Sequence, residues 1–145
     1  MLKSISILML AMLPIFSNYL ELSLPNEKAD AILGDWVNEE GNAKFNIYKS
    51  DGKYFGKITW GTGLDTKDSK NPDPKLRGQE LVGLTILKDF KFEGKNTWSD
   101  GSIYDPNDGK TYSCKMTLKS NGQLEVRGYV GVSLFGRSET WSRIK

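Results

Sequence analysis

Trp98-Ser-Asp-Gly-Ser-Ile-Tyr104-Asp-Pro-Asn-Asp-Gly-Lys-Thr-Tyr112-Ser-Cys-Lys-Met-Thr-Leu118 carries the pattern from which the architecture follows. Tyr112, Cys114, Met116 and Leu118 alternate with Ser113, Lys115, Thr117 and Lys119, the period-two pattern of a strand with one buried face. Asp105-Pro-Asn-Asp-Gly109 before it has the composition of a turn, so Tyr104 and Tyr112 flank a hairpin. The parity places Cys114 inside as a small hydrophobe, with the raised pKa and slow reactivity of a thiol in apolar surroundings.

The pattern extends both ways. Ser120-Asn-Gly122 turns into a strand with Leu124, Val126, Gly128 and Val130 on one face and Glu125, Arg127 and Tyr129 on the other, and Ser138 to Ile144 forms the last. Upstream of Trp98, Gly94-Lys-Asn96 is a turn, and Leu84, Ile86, Phe90 and Phe92 keep one parity that Lys88 breaks, where a bulge fits. Ala43, Phe45 and Ile47 alternate with Lys44, Asn46 and Tyr48; Ser50-Asp-Gly52 then leads into Lys53 to Trp60, with Tyr54, Gly56, Ile58 and Trp60 sharing a face. Asn26 caps a short helix over Glu27 to Leu33, stopped by Gly34. Seven to nine short strands and one weak helix predict an all-β fold, a single small antiparallel up-and-down β-barrel with a short N-terminal helix.

Residues 61–80 are the one long polar stretch, read as a solvated flap near the mouth of the fold. Asp65, Asp68, Asn71 and Asp73 miss the spacing of a calcium loop and lack its closing glutamate, so no metal site is assigned.

The 145 residues suit one domain. Its 20 basic and 18 acidic residues are spread along the chain, without the stripe that nucleic acid requires. There is no histidine, which excludes Ser-His-Asp and Cys-His catalysis and histidine zinc sites. One cysteine makes neither an internal disulfide nor a metal cluster. Gly109-Lys-Thr111 lacks the upstream glycine of a phosphate loop, because Tyr104 stands there. Gly131-Val-Ser133 ends at Phe135 where a nucleophile elbow needs glycine. Asp100, Asp105 and Asp108 lie in glycine-rich turns, where aspartate serves the backbone. No catalytic residue and no cofactor are assigned.

Lys3 followed by the apolar run Ile5 to Phe16 has the form of a secretory signal, too short to span a bilayer. The expected division is a signal peptide at 1–24 and a barrel domain at 25–145, exported to the periplasm with no membrane span, as a monomer or weak oligomer.

Gly34-Asp-Trp36 at the first strand and Arg143 in the last resemble the lipocalin and related calycin barrels. That resemblance implies that Trp36 packs under Arg143 and closes one barrel end, by burial of the indole and cation-π contact. From about Ile32 to Arg143 the chain looks like the bacterial domain-of-unknown-function family numbered 2147, small exported proteins. The match rests on Ile32-Leu-Gly-x-Trp36, Asn71-Pro-Asp-Pro, Gly94 to Trp98, Gly101-x-Ile-Tyr-Asp-Pro106, Gly109-Lys-x-Tyr112, Arg127-Gly-Tyr129 and Leu134-Phe-Gly-Arg137. It implies an exported barrel and no catalytic residue.

A hollow barrel would place Trp60, Tyr112 and Met116 on the inner wall and Trp98 and Tyr104 near strand ends, with Arg127 or Arg137 offering charge at the rim. These seven residues are the candidate ligand site, suited to a small apolar or amphiphilic molecule with an anionic end. The alternative is a structural or interaction protein of the envelope with a filled barrel, and third comes a carboxylate or tyrosine enzyme. An enclosed space favours the first and a packed interior the second.

Overall fold

The structure, a computed structural model, describes residues 28–63 and 65–145. The expected signal peptide and the Asn26 cap lie outside the described residues. Eight strands, β1 (Gly34–Val37), β2 (Ala43–Ser50), β3 (Lys53–Gly61), β4 (Thr85–Gly94), β5 (Thr97–Asp105), β6 (Lys110–Leu118), β7 (Leu124–Tyr129) and β8 (Gly136–Arg143), pair antiparallel in sequence order. β1 also pairs with β8, Trp36 opposite Arg143 and Val37 opposite Ser142, and the barrel closes. Closure leaves the sheet without a free edge pair.

The expected helix is a single 3-10 turn, Ala29–Ile32. Its carbonyls are used by the barrel instead of by a longer helix. Trp36 Nε1 donates to Ile32 O at 2.9 Å, Trp98 Nε1 to Ala29 O at 3.0 Å, and Arg143 to Leu33 O at 2.9 Å and to Ala31 O. The Arg143 guanidinium lies 4.3 Å from the centroid of the Trp36 ring, the contact implied by the calycin resemblance. Asp30 accepts from Tyr54 Oη at 2.6 Å and Lys49 Nζ at 3.1 Å. The turn is thereby stitched to five parts of the barrel and plugs one end.

Above the plug the interior is filled. Trp36, Phe90, Leu87, Trp98, Cys114, Met116, Leu124 and Trp141 are buried to within 1%, and Phe45 stacks on Trp141 with ring centroids 4.0 Å apart. Phe90 fits because Gly101 faces it: a Cβ there would lie 2.5 Å from the ring. A small residue opposite a large one is how a narrow barrel fills its taper.

Two register details differ from the simple alternation. Phe45 opposes Ile58 but Lys44 opposes Trp60, so Thr59 is an extra residue in β3. The bulge turns Trp60 onto the outer face, 41% exposed, with Lys44 Nζ 5.1 Å from its ring centroid. In β4 irregular pairing to β3 leaves Ile86 and Leu87 both buried; Leu87 takes the inner-face place expected of Ile86, while Phe90 and Phe92 keep theirs, Phe92 opposite Trp98 with ring centroids 5.0 Å apart.

Candidate functional site

The flap between β3 and β4 folds back on the outer wall of the barrel and encloses a cleft. Asp68 organises it. Its carboxylate, 0% exposed, accepts from Tyr104 Oη at 2.7 Å, Asn71 Nδ2 at 2.8 Å and Gln79 Nε2 at 3.0 Å. Asn71 in turn accepts from Asp73 N at 2.9 Å and, through its carbonyl, from Arg77 Nε at 2.8 Å. Asp68 N donates to Gln79 O and Leu81 N to Thr66 O, pairing the two limbs of the flap. Burial opposes ionisation of Asp68, but the bonds from Asn71, Tyr104 and Gln79 outweigh it and hold the carboxyl below its usual range. Burial, reinforced by the bond to Asp68, pushes Tyr104 up to about 12. The carboxylate's three protein donors give it a structural task, holding the flap to β5.

The tip of the flap rests on the β5–β6 hairpin. Lys70 Nζ donates to Asn107 O at 2.8 Å, and the Lys70 carbonyl passes so close to Gly109 that a Cβ would lie 1.9 Å from its oxygen. Gly109 therefore has no substitute that preserves this contact. Asn71-Pro-Asp-Pro, Tyr104 and Gly109, scattered in sequence, meet at one junction.

Between flap and wall lies a cavity of about 340 Å³. The flap contributes Asn71, Pro72, Leu76 and Gln79, and Leu84, Thr85, Ile86 and Lys88 line it from β4 and its approach. Ser102 and Tyr104 of β5 and Thr111 of β6 complete the wall. Ser102 and Tyr104 alternate with inward Ile103, which opposes Tyr112, so the cleft is outside the barrel. Lys88 forms no ion pair among the described residues. An apolar body held by Leu76 and Leu84, with a head near Lys88 and the hydroxyls, is what such a lining accommodates.

Of the seven sequence candidates, only Tyr104 lines this cleft. Trp60 is outside the barrel, because of Thr59. Trp98 braces the closed end through Ala29, and Met116, opposite Trp98 and Val126, is packed in the core. Tyr112 does face inward at the mouth, but its hydroxyl donates to Asp108 within the hairpin. Arg127 is on the outer face, opposite Ser138, and its guanidinium donates to Ser133 O at 2.8 Å, Leu134 O at 3.3 Å and Ser138 Oγ at 2.9 Å. Arg137, opposite Gly128 at the mouth, remains exposed. Sequence reasoning missed Lys88, Ser102 and Thr111. Ser102 and Thr111 alternate with inward residues and Lys88 breaks the apolar parity of its strand, so all three read as outer wall; the signal that something covers them was Leu76 and Leu81 inside an otherwise polar loop.

This is a closed eight-stranded barrel of the lipocalin-like class, with a plugged end and a strapped outer wall. Residues 34–143 match the family described as "Uncharacterized protein conserved in bacteria (DUF2147)", and the chain belongs to that family. It is similar in structure to protein HP1028 from the human pathogen Helicobacter pylori, described as belonging to the lipocalin family. The TM-score is 0.72 at 28% identity, over 78% of this chain and 82% of that one. No functionally curated protein matches the chain. Among the described residues no helix is long and apolar enough to cross a membrane.

Proposed function

We propose that this is an exported, periplasmic protein that binds a small amphiphilic molecule in the cleft beneath the flap, and not in the barrel interior. The observation that carries the reading is the 340 Å³ cavity, of a size that takes a small ligand, beside an interior occupied by Trp36, Phe90, Trp98, Met116 and Trp141. Leu76, Leu84 and Ile86 take the apolar body, and Lys88 takes an anionic head assisted by Ser102 and Thr111. Similarity to a protein described as a lipocalin supports small-molecule binding in general.

Calorimetric titration with fatty acids, isoprenoids and aromatic acids tests it. Binding is expected to weaken about 10- to 100-fold in Lys88→Glu for anionic ligands, the loss of one charge-assisted contact. Leu84→Trp, which fills the cleft, abolishes binding, whereas the interior variant Met116→Leu retains it. No heat across the panel, together with no molecule co-purifying from the envelope by native mass spectrometry, overturns the proposal. That result favours the second reading, a non-catalytic structural or interaction protein of the envelope, to which the filled barrel points.

A further inference from the structure

The β7–β8 loop displays apolar side chains that the fold does not use. Val130, Val132, Leu134 and Phe135 are 68%, 58%, 80% and 71% exposed, within a connection of six residues, Val130 to Phe135. Chance apolar exposure is scattered; four such side chains on one short loop mark a contact surface. The loop is also built to keep them out. Arg127 ties down the Ser133 and Leu134 carbonyls and Ser138 Oγ, while Val130 N donates to Phe135 O and Phe135 N to Val132 O. These bonds hold the loop in a conformation that leaves Leu134 and Phe135 facing solvent.

Charge selects the partner. From Val126 to Ser138 the chain carries two arginines and no carboxylate, and Arg137 beside the tip is exposed. Aliphatic and aromatic side chains beside a guanidinium fit a lipid surface, with acyl chains below and anionic headgroups at the level of the cation. The neighbouring turn at this end of the barrel carries Glu39 and Glu40, both exposed, which confines the contact to the one hairpin. We propose that the Val130–Phe135 loop is a membrane-docking tip that inserts reversibly into an anionic bilayer interface. The site is separate from the cleft beneath the flap and stands without it.

The test uses the buried Cys114 as a silent background. In the full chain, Leu134→Cys is labelled with an environment-sensitive nitrobenzoxadiazole dye, with Asn121→Cys, in the β6–β7 turn at the opposite end, as the control. Vesicles of phosphatidylethanolamine and phosphatidylglycerol should blue-shift and at least double the emission at position 134 and leave position 121 unchanged. Adding Val132→Ser and Phe135→Ser to the labelled protein should weaken partition about 10- to 100-fold, the loss of two partly buried apolar side chains. Arg137→Glu should weaken it for phosphatidylglycerol vesicles and much less for neutral phosphatidylcholine. An unchanged signal at position 134, or an equal change at 121, overturns the proposal. So does a lipid-independent blue shift that grows with protein concentration, which assigns the loop to a second copy of the chain.

Discussion

Tyr104→Phe removes one atom from the junction between flap and barrel. The lost bond is 2.7 Å long and runs to a fully buried carboxylate that keeps its bonds from Asn71 and Gln79. The ring remains to pack against the core. A hydrogen bond to a charged group contributes about 1.5–3 kcal/mol, and the bond is absent both when the flap opens and when the whole chain unfolds. The variant should therefore lose the same free energy from global stability, read by denaturant titration, and from flap closure. Closure is read by native-state trypsin cleavage at exposed Lys67, Lys70, Lys75 and Arg77, which tracks the open population and should accelerate about 10- to 150-fold for that energy. Cleavage should depend weakly on denaturant, as local opening does. Alkali supplies an independent check. The phenol is raised to about 12 in the folded protein, so its contribution is complete below the unfolded value of about 10 and disappears as pH rises towards 12. Wild type and variant should converge across that window. Lower global stability with unchanged flap cleavage, or flap cleavage with the steep denaturant dependence of global unfolding, would refute the role of Asp68 and Tyr104 as a latch.

Trp36→Ala should cost about 3–5 kcal/mol, because it empties the closed end and removes the ring on which the Arg143 guanidinium lies; unchanged thermal unfolding would contradict the plug. Gly101→Ala should destabilise by about 1–3 kcal/mol by driving a methyl into the Phe90 ring, and Phe90→Leu in the same chain should recover part of that loss in denaturant titrations. Cys114 is buried and its thiol is pushed up to about 12 by desolvation, so a thiol reagent should label it slowly in the native state and rapidly in denaturant. Rapid native labelling would mean that β6 is in the other register.

The barrel was legible because its strands are short, their turns carry Asp, Asn and Gly, and one face is always apolar. Tyr112 to Leu118 fixed the parity of β6, and the structure keeps it. Trp36 and Arg143 were legible as partners through the calycin resemblance of Gly34-Asp-Trp36 and the late arginine. Trp60 was not, because a single inserted residue, Thr59, reverses the face of everything beyond it and leaves no signature in a period-two pattern. The cleft was illegible for another reason. Its lining joins a loop to the outside of three strands, and an outward Lys88 or Ser102 reads as solvated until the flap is known to cover it. Asp68 looks like any loop carboxylate in sequence; only the fold brings Tyr104 to it from 36 residues away.

The filling of the lumen decides where function can sit. A barrel of eight strands is just wide enough for side chains to fill or for one small ligand to enter, and here Trp36, Phe90, Trp98 and Trp141 occupy the space. Their placement follows from constraints that cannot be relaxed singly: Gly101 receives Phe90, Phe45 stacks on Trp141, and Trp98 is held by Ala29. Emptying the lumen for a ligand would mean moving several of these groups at once, against close packing. The connections carry no such burden. All that leave the upper end of the barrel, after β1, β3, β5 and β7, lie together because consecutive strands alternate in direction. The long one forms a cleft with the outer wall, where Lys88, Ser102 and Thr111 complete the lining, and the apolar one forms a tip, so both proposed sites lie around the barrel and not within it.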